Sequence, residues 1–529
     1  MRSPWVSYGS NMDAIVIENL TQDVQQGRIT ADRLIEIIAS QDRAFRTLIQ
    51  QLQQQLQASQ QRCAELEQKL GGPPTAKVDE PYSVRAEEKR QAASGKKRKG
   101  KRKKRGGRFR TKDKIAAAER TEAVYPEGVP AAECWLSHVR PVWRLENNRA
   151  VLIAYAIYRG PSSKYGKIPG VLGRSEFGME LVTQLAHLVY IVGLSIDKAC
   201  AMVFFFQNLK LSKAQANVLL YQLARHWEHE FEVLCTLLAN SLVVHADETS
   251  WSLNSVWALL SEKARILLFG VHKDGATLKE ILDPATFAGL VISDDAAVYL
   301  HFSAMQKCWA HLLRKVIKLG LQDPEHAAYQ TFTDGLLEIY RKACRIQGDQ
   351  RYSAAGRAEK VSALDDAILS LCGAYSIETL LSTQGLDHEF GLLVAEVQRL
   401  MWDRSLFTFV TTPPVQQPNG ATKPVSGTNN EAERTLRSPA QARDTGRTNK
   451  THNGTRRQTV LTSVLESLRL YLPVYTLGSV VAELQRWWVE GRSCFEKLLK
   501  TSKLQVNQAG QPTIDRIYPP ASPVLSPSG

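Results

Sequence analysis

Residues 241–295 decide the fold of the central region; they begin SLVVHADETSW at Ser241 and end GLVISDD at Asp295. Alternating or continuous apolar residues predict strands at 241–246, 255–260, 265–271 and 289–293, with a short helix at 276–282. A β-β-β-α-β order of this kind indicates a sheet with helices packed beside it. The sequence therefore predicts an α+β or mixed α/β fold here.

Two carboxylates stand where strands of this predicted sheet end. Asp247 follows the first strand and Asp294 follows the fourth, so adjacent strand ends would bring both to one edge. A third carboxylate from residues 427–437 (GTNNEAERTLR) would complete a set of hard oxygen ligands that suits Mg²⁺ or Mn²⁺. Alternatively, each acid is an ordinary strand-end or helix-start residue.

Charge and composition narrow the class of protein. The chain has 529 residues, 43% hydrophobic and 23% charged, which indicates several folded domains. Its formal net charge is +14, and an excess of this size favours a polyanionic partner. The dense basic block at 96–110 predicts a flexible arm that binds the phosphate backbone without sequence preference, with a solubilising linker as the alternative. Its basic residues are Lys96, Lys97, Arg98, Lys99, Lys101, Arg102, Lys103, Lys104, Arg105, Arg108 and Arg110.

The N-terminal region carries apolar residues at heptad spacing from Leu34 to Leu70. This spacing predicts a coiled coil and hence a homo-oligomer, although a single amphipathic helix packed on its own body is the alternative. The eight cysteines lie far apart, which favours reduced thiols in the cytoplasm. Apolar runs are too short to span a bilayer. We therefore expect a cytoplasmic, nucleoid-associated protein with no membrane partner.

Helix signals dominate residues 178–240. Ser195 precedes a helix at 196–207, and Ser212 with Gln215 fits a capping box that opens a second helix reaching about Glu230. The pair resembles a helix-turn-helix, but any helical bundle has the same signature.

Cys308 and His311 raise the question of zinc. No second Cys/His pair lies nearby, and tetrahedral zinc needs three or four protein ligands. We expect no structural zinc, but a buried helix with Trp309 in the core and Arg314 and Lys315 facing DNA.

Four ordered segments carry a family resemblance: residues 245–249 (HADET), 293–299 (SDDAAVY), 308–315 (CWAHLLRK) and 429–434 (NNEAER). Over about 178–472 the chain resembles the DDE transposases of the insertion-sequence-66 type. The resemblance implies a ribonuclease-H-like catalytic domain with a helical insertion, preceded by a helical DNA-binding region and an N-terminal coiled coil. It also implies an enzyme that cuts and joins double-stranded DNA at transposon ends and in the target, with possible helper proteins of the same element.

The resemblance also implies roles for single residues. Asp247, Asp294 and Glu433 would be the catalytic ligands of two Mg²⁺ or Mn²⁺ ions, with Asp295 and Glu431 as the register alternatives. Tyr299 occupies the family's tyrosine position five residues after the second aspartate. The DNA-binding residues near the metals would be Asn430, Arg434 and Arg437. A catalytically silent, transposase-derived DNA-binding protein is the alternative function.

The predicted organisation has ten segments. They are a flexible N-terminus (1–28), the coiled coil (29–71), a basic disordered linker (72–125), a small degenerate zinc-ribbon-like region (126–177), the helical region (178–240), the first part of the catalytic domain (241–310), a helical insertion (311–405), the loop and helix that complete the catalytic domain (406–472), C-terminal helices (473–507) and a disordered tail (508–529).

Overall fold

The computed structural model describes residues 54, 111–252, 254–449, 451–506 and 511–519. The predicted coiled coil lies outside these residues apart from Gln54, and the basic block 96–110 lies wholly outside them. The first unit contains helix α1 (Thr111–Ala116) and strands β1 (Arg120–Val124), β2 (Trp135–Glu146) and β3 (Arg149–Arg159). The order in this sheet is β1-β3-β2.

The first sheet has its own apolar core, built from Val142, Val151, Ile153 and Ile157 among others. Its strands β2 and β3 are antiparallel, and β1 pairs with β3 in parallel. The small region predicted at 126–177 is largely this hairpin. The disordered linker predicted to reach residue 125 is wrong from Thr111 onward, because α1 and β1 pack onto the hairpin.

Four helices follow in the region predicted to be helical. They are α2 (Met179–Ala186), α3 (Ile196–Gln207), α4 (Lys213–His226) and α5 (Glu228–Ala239), with a single π turn at His187–Ile191. Ser195 caps α3, and both hydrogen bonds of the predicted capping box open α4. The second helix ends at His226 rather than near Glu230, and α5 begins at once.

The central sheet has five strands in the order β6-β5-β4-β7-β8. They are β4 (Val243–Ser250), β5 (Ser255–Ser261), β6 (Arg265–Val271), β7 (Leu290–Ser293) and β8 (Met305–Lys307), with helix α6 (Gly275–Lys279) between β6 and β7. Strands β4, β5 and β6 are antiparallel, whereas β7 is parallel to β4 and β8 is parallel to β7. The four predicted strands are confirmed, and β8 is an addition.

A helical layer follows the sheet, as predicted. It contains α7 (Trp309–Gln322), α8 (Ala327–Gly348), α9 (Ala354–Gly373), α10 (Ile377–Ser382), α11 (Leu386–Trp402) and α12 (Thr408–Thr411). Trp309 is fully buried in its core, and its indole N–H donates to the carbonyl of Leu406 at 2.6 Å. The prediction of a buried helix with Trp309 in the core is confirmed.

The chain then returns to the sheet. A two-stranded hairpin, β9 (Val415–Gln416) and β10 (Thr422–Lys423), precedes α13 (Asn430–Asp444) and α14 (His452–Tyr471), and α15 (Leu477–Glu490), α16 (Cys494–Thr501) and α17 (Thr513–Ile517) follow. Helix α14 closes the edge strand β6: the hydroxyls of Thr459, Ser463 and Ser467 accept from the backbone N–H groups of Phe269, Leu267 and Arg265 at 2.9–3.1 Å. The otherwise unpaired edge is thereby covered.

The tail predicted to be disordered from residue 508 is wrong for residues 511–519. Tyr518 is 1% exposed, and its hydroxyl exchanges hydrogen bonds with the backbone of Phe269. Burial of this aromatic side chain offsets the ordering of the short segment around it. In the described part of the chain, no helix is both long and apolar enough to span a membrane.

Candidate functional site

Asp247 lies in β4 on the face of the sheet that α13 covers. It pairs with Ala258 of β5, and Ala258 packs in one apolar cluster with Ala432 and Leu436 of α13. Directly opposite residues point to the same face of a sheet, so the half-buried Asp247 side chain lies on the side of this helix. Its Oδ1 accepts from the backbone N–H of Glu248 at 3.0 Å.

Asp294 lies level with Asp247 across the parallel pair of strands. His245 of β4 is the register partner of Ile292 of β7, and each aspartate follows its strand partner by two residues. Because side chains two residues apart share a face, both carboxylates belong to the α13 side. Lys307 donates to the Asp294 carbonyl at 3.0 Å, which fixes the strand end.

Glu433 approaches from the first turn of α13. The start of this helix is fastened by Asn429, whose backbone N–H donates to Cys308 Sγ at 3.1 Å and whose side-chain amide donates to the carbonyl of Ala246 at 2.8 Å. Asn429 is fully buried. The helix that carries Glu433 is therefore tied to the residue immediately before Asp247.

The charges of these three side chains interact. Burial, followed by the neighbouring negative charges of Glu248, Asp294 and Glu433, raises the pKa of Asp247 to about 7, against the hydrogen bond from the Glu248 N–H. The structure thus brings Asp247, Asp294 and Glu433 within electrostatic reach of one another from three separate elements. Carboxylates that converge in this way favour a cation between them.

The two register alternatives have other partners. Asp295 is exposed and forms ion pairs with Lys307 and Arg399. Glu431 pairs with Arg265 at 2.6 Å and with Lys423 at 3.1 Å. Burial alone would raise the pKa of Glu431, but these two cations outweigh it and lower the pKa. Both carboxylates are compensated by protein cations.

Glu433 also has a cationic partner. Arg314 of α7 donates to its two carboxylate oxygens at 2.7 and 3.0 Å, and His311 Nδ1 lies 3.4 Å from Oε1. The prediction placed Arg314 and Lys315 facing DNA, whereas Arg314 holds Glu433 and Lys315 pairs with Glu396 at 2.6 Å. Arg314 and Glu433 lie 119 residues apart in sequence, so no local pattern could have indicated this pair.

Cys308, His311 and Glu433 form a group whose ligand atoms lie within 4.8 Å of one another. The sulfur already accepts the Asn429 N–H, and burial raises the pKa of the thiol. Zinc needs the thiolate, so the donor chemistry fits zinc poorly. The expected absence of structural zinc stays a prediction.

Glu248 is a residue that sequence reasoning missed. Its side chain is 1% exposed, pairs with Lys273 at 2.7 Å and accepts a hydrogen bond from the hydroxyl of Tyr299. The ring of Tyr299 packs edge-to-face on Trp257. Strand alternation was the available signal, because it places Glu248 on the face opposite to Asp247.

A groove of about 470 Å³ runs beside Glu433. Asn430, Arg434, Arg437 and Arg314 line it. Arg434 and Arg437 are exposed, and they form no ion pair with any residue that the structure describes. The three predicted DNA-binding residues of this segment therefore come together at one surface.

Two basic residues of α14, Arg456 and Arg457, have protein partners of their own. Arg456 forms ion pairs with Glu228 and Asp515, and Arg457 is buried against Asn217. Both side chains of α14 therefore contact the helical region and do not line the groove beside Glu433. The eleven basic residues of 96–110 lie outside the described residues.

A known protein family matches the part of the chain that contains this site. The family model described as Transposase IS66 family matches residues 174–457. The matched range is more than half of the chain and includes the central sheet, the helical layer and α13. No curated protein matches the chain.

Proposed function

The chain belongs to the IS66 transposase family, and from this premise we propose that it cleaves and joins DNA at transposon ends by a DDE mechanism. Asp247, Asp294 and Glu433 would be the three acidic residues of that mechanism. One observation carries the proposal: two strand ends in parallel register and the first turn of a helix fastened beside them hold these three carboxylates within electrostatic reach of one another.

The donor set fits magnesium or manganese. All three side chains offer hard oxygen ligands, which these ions prefer, and of the three Glu433 is the one that is paired with a protein cation, Arg314. A pair of such ions, when bound, activates the attacking oxygen and stabilises the leaving oxygen of a phosphodiester. We also propose that the catalytic domain is ribonuclease-H-like, which the mixed five-stranded sheet supports.

The surrounding residues have supporting tasks in this proposal. Asn429 fixes the helix that presents Glu433, while Lys273 and Tyr299 keep the charge of Glu248 compensated on the other face. Arg434 and Arg437 hold DNA phosphates in the groove, because exposed guanidinium groups without protein partners are suited to that task. The basic arm at 96–110 adds affinity that is independent of sequence.

The partners we propose are double-stranded DNA, a second copy of the chain through the coiled coil, and helper proteins of the same element. A catalytically silent DNA-binding protein is the second candidate, and the Arg314–Glu433 pair favours it, because one guanidinium nitrogen of Arg314 donates to both oxygens of one of the three carboxylates. This second candidate requires that the Arg314–Glu433 ion pair stays intact when DNA binds.

The test is cleavage and strand transfer on supercoiled DNA that carries the element's own ends, with Mg²⁺ or Mn²⁺ and DNA binding measured in parallel. Asp247→Asn, Asp294→Asn and Glu433→Gln should each lose the products and keep binding. Asp295→Asn and Glu431→Gln are the matched controls, and they should keep both. Wild-type protein that binds but yields no product, with helper proteins supplied, would favour the silent candidate.

A further inference from the structure

Lys273 stands at the end of the central sheet near which the two aspartates of the carboxylate site lie. It follows the end of β6 by two residues. Strands β4 and β6 lie on either side of β5, and both are antiparallel to it, so they end at the same edge of the sheet. The loop after β6 therefore carries a cationic side chain to the edge that Asp247 and Asp294 occupy.

A buried carboxylate holds the ammonium group of Lys273. The Nζ atom lies 2.7 Å from Oε1 of Glu248, and the Lys273 side chain is 59% exposed whereas that of Glu248 is 1% exposed. Glu248 in turn accepts a hydrogen bond from the hydroxyl of Tyr299, which is fully buried. Because both groups behind the ammonium are packed in the core, they fix the position of an exposed cation.

The backbone beside Lys273 is also held in place. The indole N–H of Trp257 donates to the carbonyl of His272 at 3.0 Å, and Asp274 caps the start of α6. The same Trp257 ring packs edge-to-face on Tyr299. One buried tryptophan thereby anchors both the loop that carries the lysine and the tyrosine that supports its carboxylate partner.

The exposure of Lys273 distinguishes it from a cation that serves the fold alone. Lys307 is the comparison, because it also pairs with a carboxylate, Asp295, but is only 3% exposed. Lys273 forms no second ion pair with any residue that the structure describes. A lysine ammonium has three donors, so the donors that Glu248 does not use are left for a group from outside the protein.

The carboxylate site lies within electrostatic reach of this ammonium. The hydrogen bond to Glu248 raises the pKa of Lys273, and the charges of Asp294 and Asp247 raise it as well, against partial burial. Lys273 therefore keeps its positive charge at neutral pH. A phosphodiester that enters the carboxylate site would come within range of this fixed cation, and contacts of lysine with phosphate position DNA without reading its sequence.

We propose that Lys273 binds a phosphate of the DNA strand that enters the carboxylate site, with Glu248 and Tyr299 as its positioning residues. This assignment rests on the proposed function, because it takes the carboxylate site to be the place where DNA is cut. It adds a phosphate contact from the loop after β6 to those of Arg434 and Arg437 on α13.

The test maps phosphate contacts on a duplex that carries one end of the element. Single phosphates around the cleavage position are replaced in turn by uncharged methylphosphonates, and binding to the full-length protein is measured by fluorescence anisotropy in EDTA. Wild type should lose affinity roughly 3- to 5-fold at the contacted phosphate, as for one exposed ion pair. Lys273→Gln should bind the unmodified duplex that much more weakly and lose nothing further at that position. Its dependence of log K on log salt should fall by about 1.

Four variants separate the contact from the fold. Lys279→Gln is the matched control, because it makes the same change in charge on an exposed lysine of α6, and it should keep the wild-type map. Lys273→Arg should keep the contact. Glu248→Gln leaves the lysine charge but loosens its anchor, so the loss should spread over neighbouring phosphates. The double variant Glu248→Gln with Lys273→Gln leaves no buried charge unpaired, and it should lose the contact as Lys273→Gln does.

A phosphate map of Lys273→Gln identical to that of wild type would overturn the proposal and leave Lys273 to the compensation of Glu248. If wild type nevertheless cleaves DNA with Mg²⁺, the proposed function stands without this contact. A contact that is lost in Lys273→Gln and kept in Lys279→Gln supports the proposal, and it does so even if wild type binds DNA without cleaving it, in which case the proposed function alone fails.

Discussion

Replacing Asp247 by Asn should stabilise the metal-free protein. In the folded chain the pKa of Asp247 is raised from 3.8 to about 7, first by burial and then by the charges of Glu248, Asp294 and Glu433. The folded state therefore binds this proton more tightly than the unfolded state. Ionisation lowers the free energy of unfolding as pH rises above 3.8, and the full cost is reached above about pH 7.

The size of this cost follows from the two pKa values. It is about 4 kcal/mol at pH 8 and about 2 kcal/mol at pH 5. Asparagine carries no charge and can still accept the hydrogen bond from the Glu248 N–H, so Asp247→Asn should recover most of the cost. Mg²⁺ should reduce the gain, because an ion bound only by the folded state stabilises the wild-type protein.

The assay is urea unfolding followed by tryptophan fluorescence, at pH 5 and pH 8, with EDTA or with Mg²⁺. Asp295→Asn is the matched control, and it should destabilise the protein because it removes ion pairs to Lys307 and Arg399. If Asp247→Asn is no more stable than wild type at pH 8 in EDTA, the reasoning about converging carboxylates is refuted.

Three further outcomes are expected. Tyr518→Ala should lower the free energy of unfolding in urea by about 3–5 kcal/mol, and Tyr518→Phe should lower it by only about 1 kcal/mol, because the buried ring anchors the C-terminal segment. Equal losses in the two variants would contradict this anchoring. Replacing Arg434 and Arg437 together by Ala should weaken duplex binding and lower the dependence of log K on log salt by about 2; an unchanged salt dependence would exclude phosphate contacts. Glu431→Gln should lower stability through its lost ion pairs and spare DNA cleavage, and loss of cleavage with stability intact would instead favour Glu431 as the ligand.

Local signals predicted much of the fold. The strands β4 to β7 and the caps at Ser195 and Ser212 follow from apolar alternation and from hydroxyl groups beside helix starts. Strand β8 has only three residues, too few for a periodic pattern. Tyr518 is buried by β6 and α14, which lie far away in sequence, so a Pro- and Ser-rich tail gave no sign of it.

The candidate site was less accessible to sequence reasoning. Asp247 and Asp294 were predicted from the ends of the strands and from the spacing of the family motifs. The register of β4 with β7 places the two residues level with each other. The partners of Glu433 and Glu248 depend on how distant elements pack, as the contacts of Arg314 and Tyr299 illustrate.

The most direct test of the central claim is DNA cleavage by Asp247→Cys in Mg²⁺ and in Mn²⁺. Sulfur is a poor ligand for Mg²⁺ and a better one for Mn²⁺. The account predicts that Asp247→Cys binds DNA, does not cleave it with Mg²⁺, and regains cleavage with Mn²⁺, while wild type cleaves with both. Cleavage by Asp247→Cys with Mg²⁺ at the wild-type rate would contradict the claim that Asp247 holds the catalytic metal.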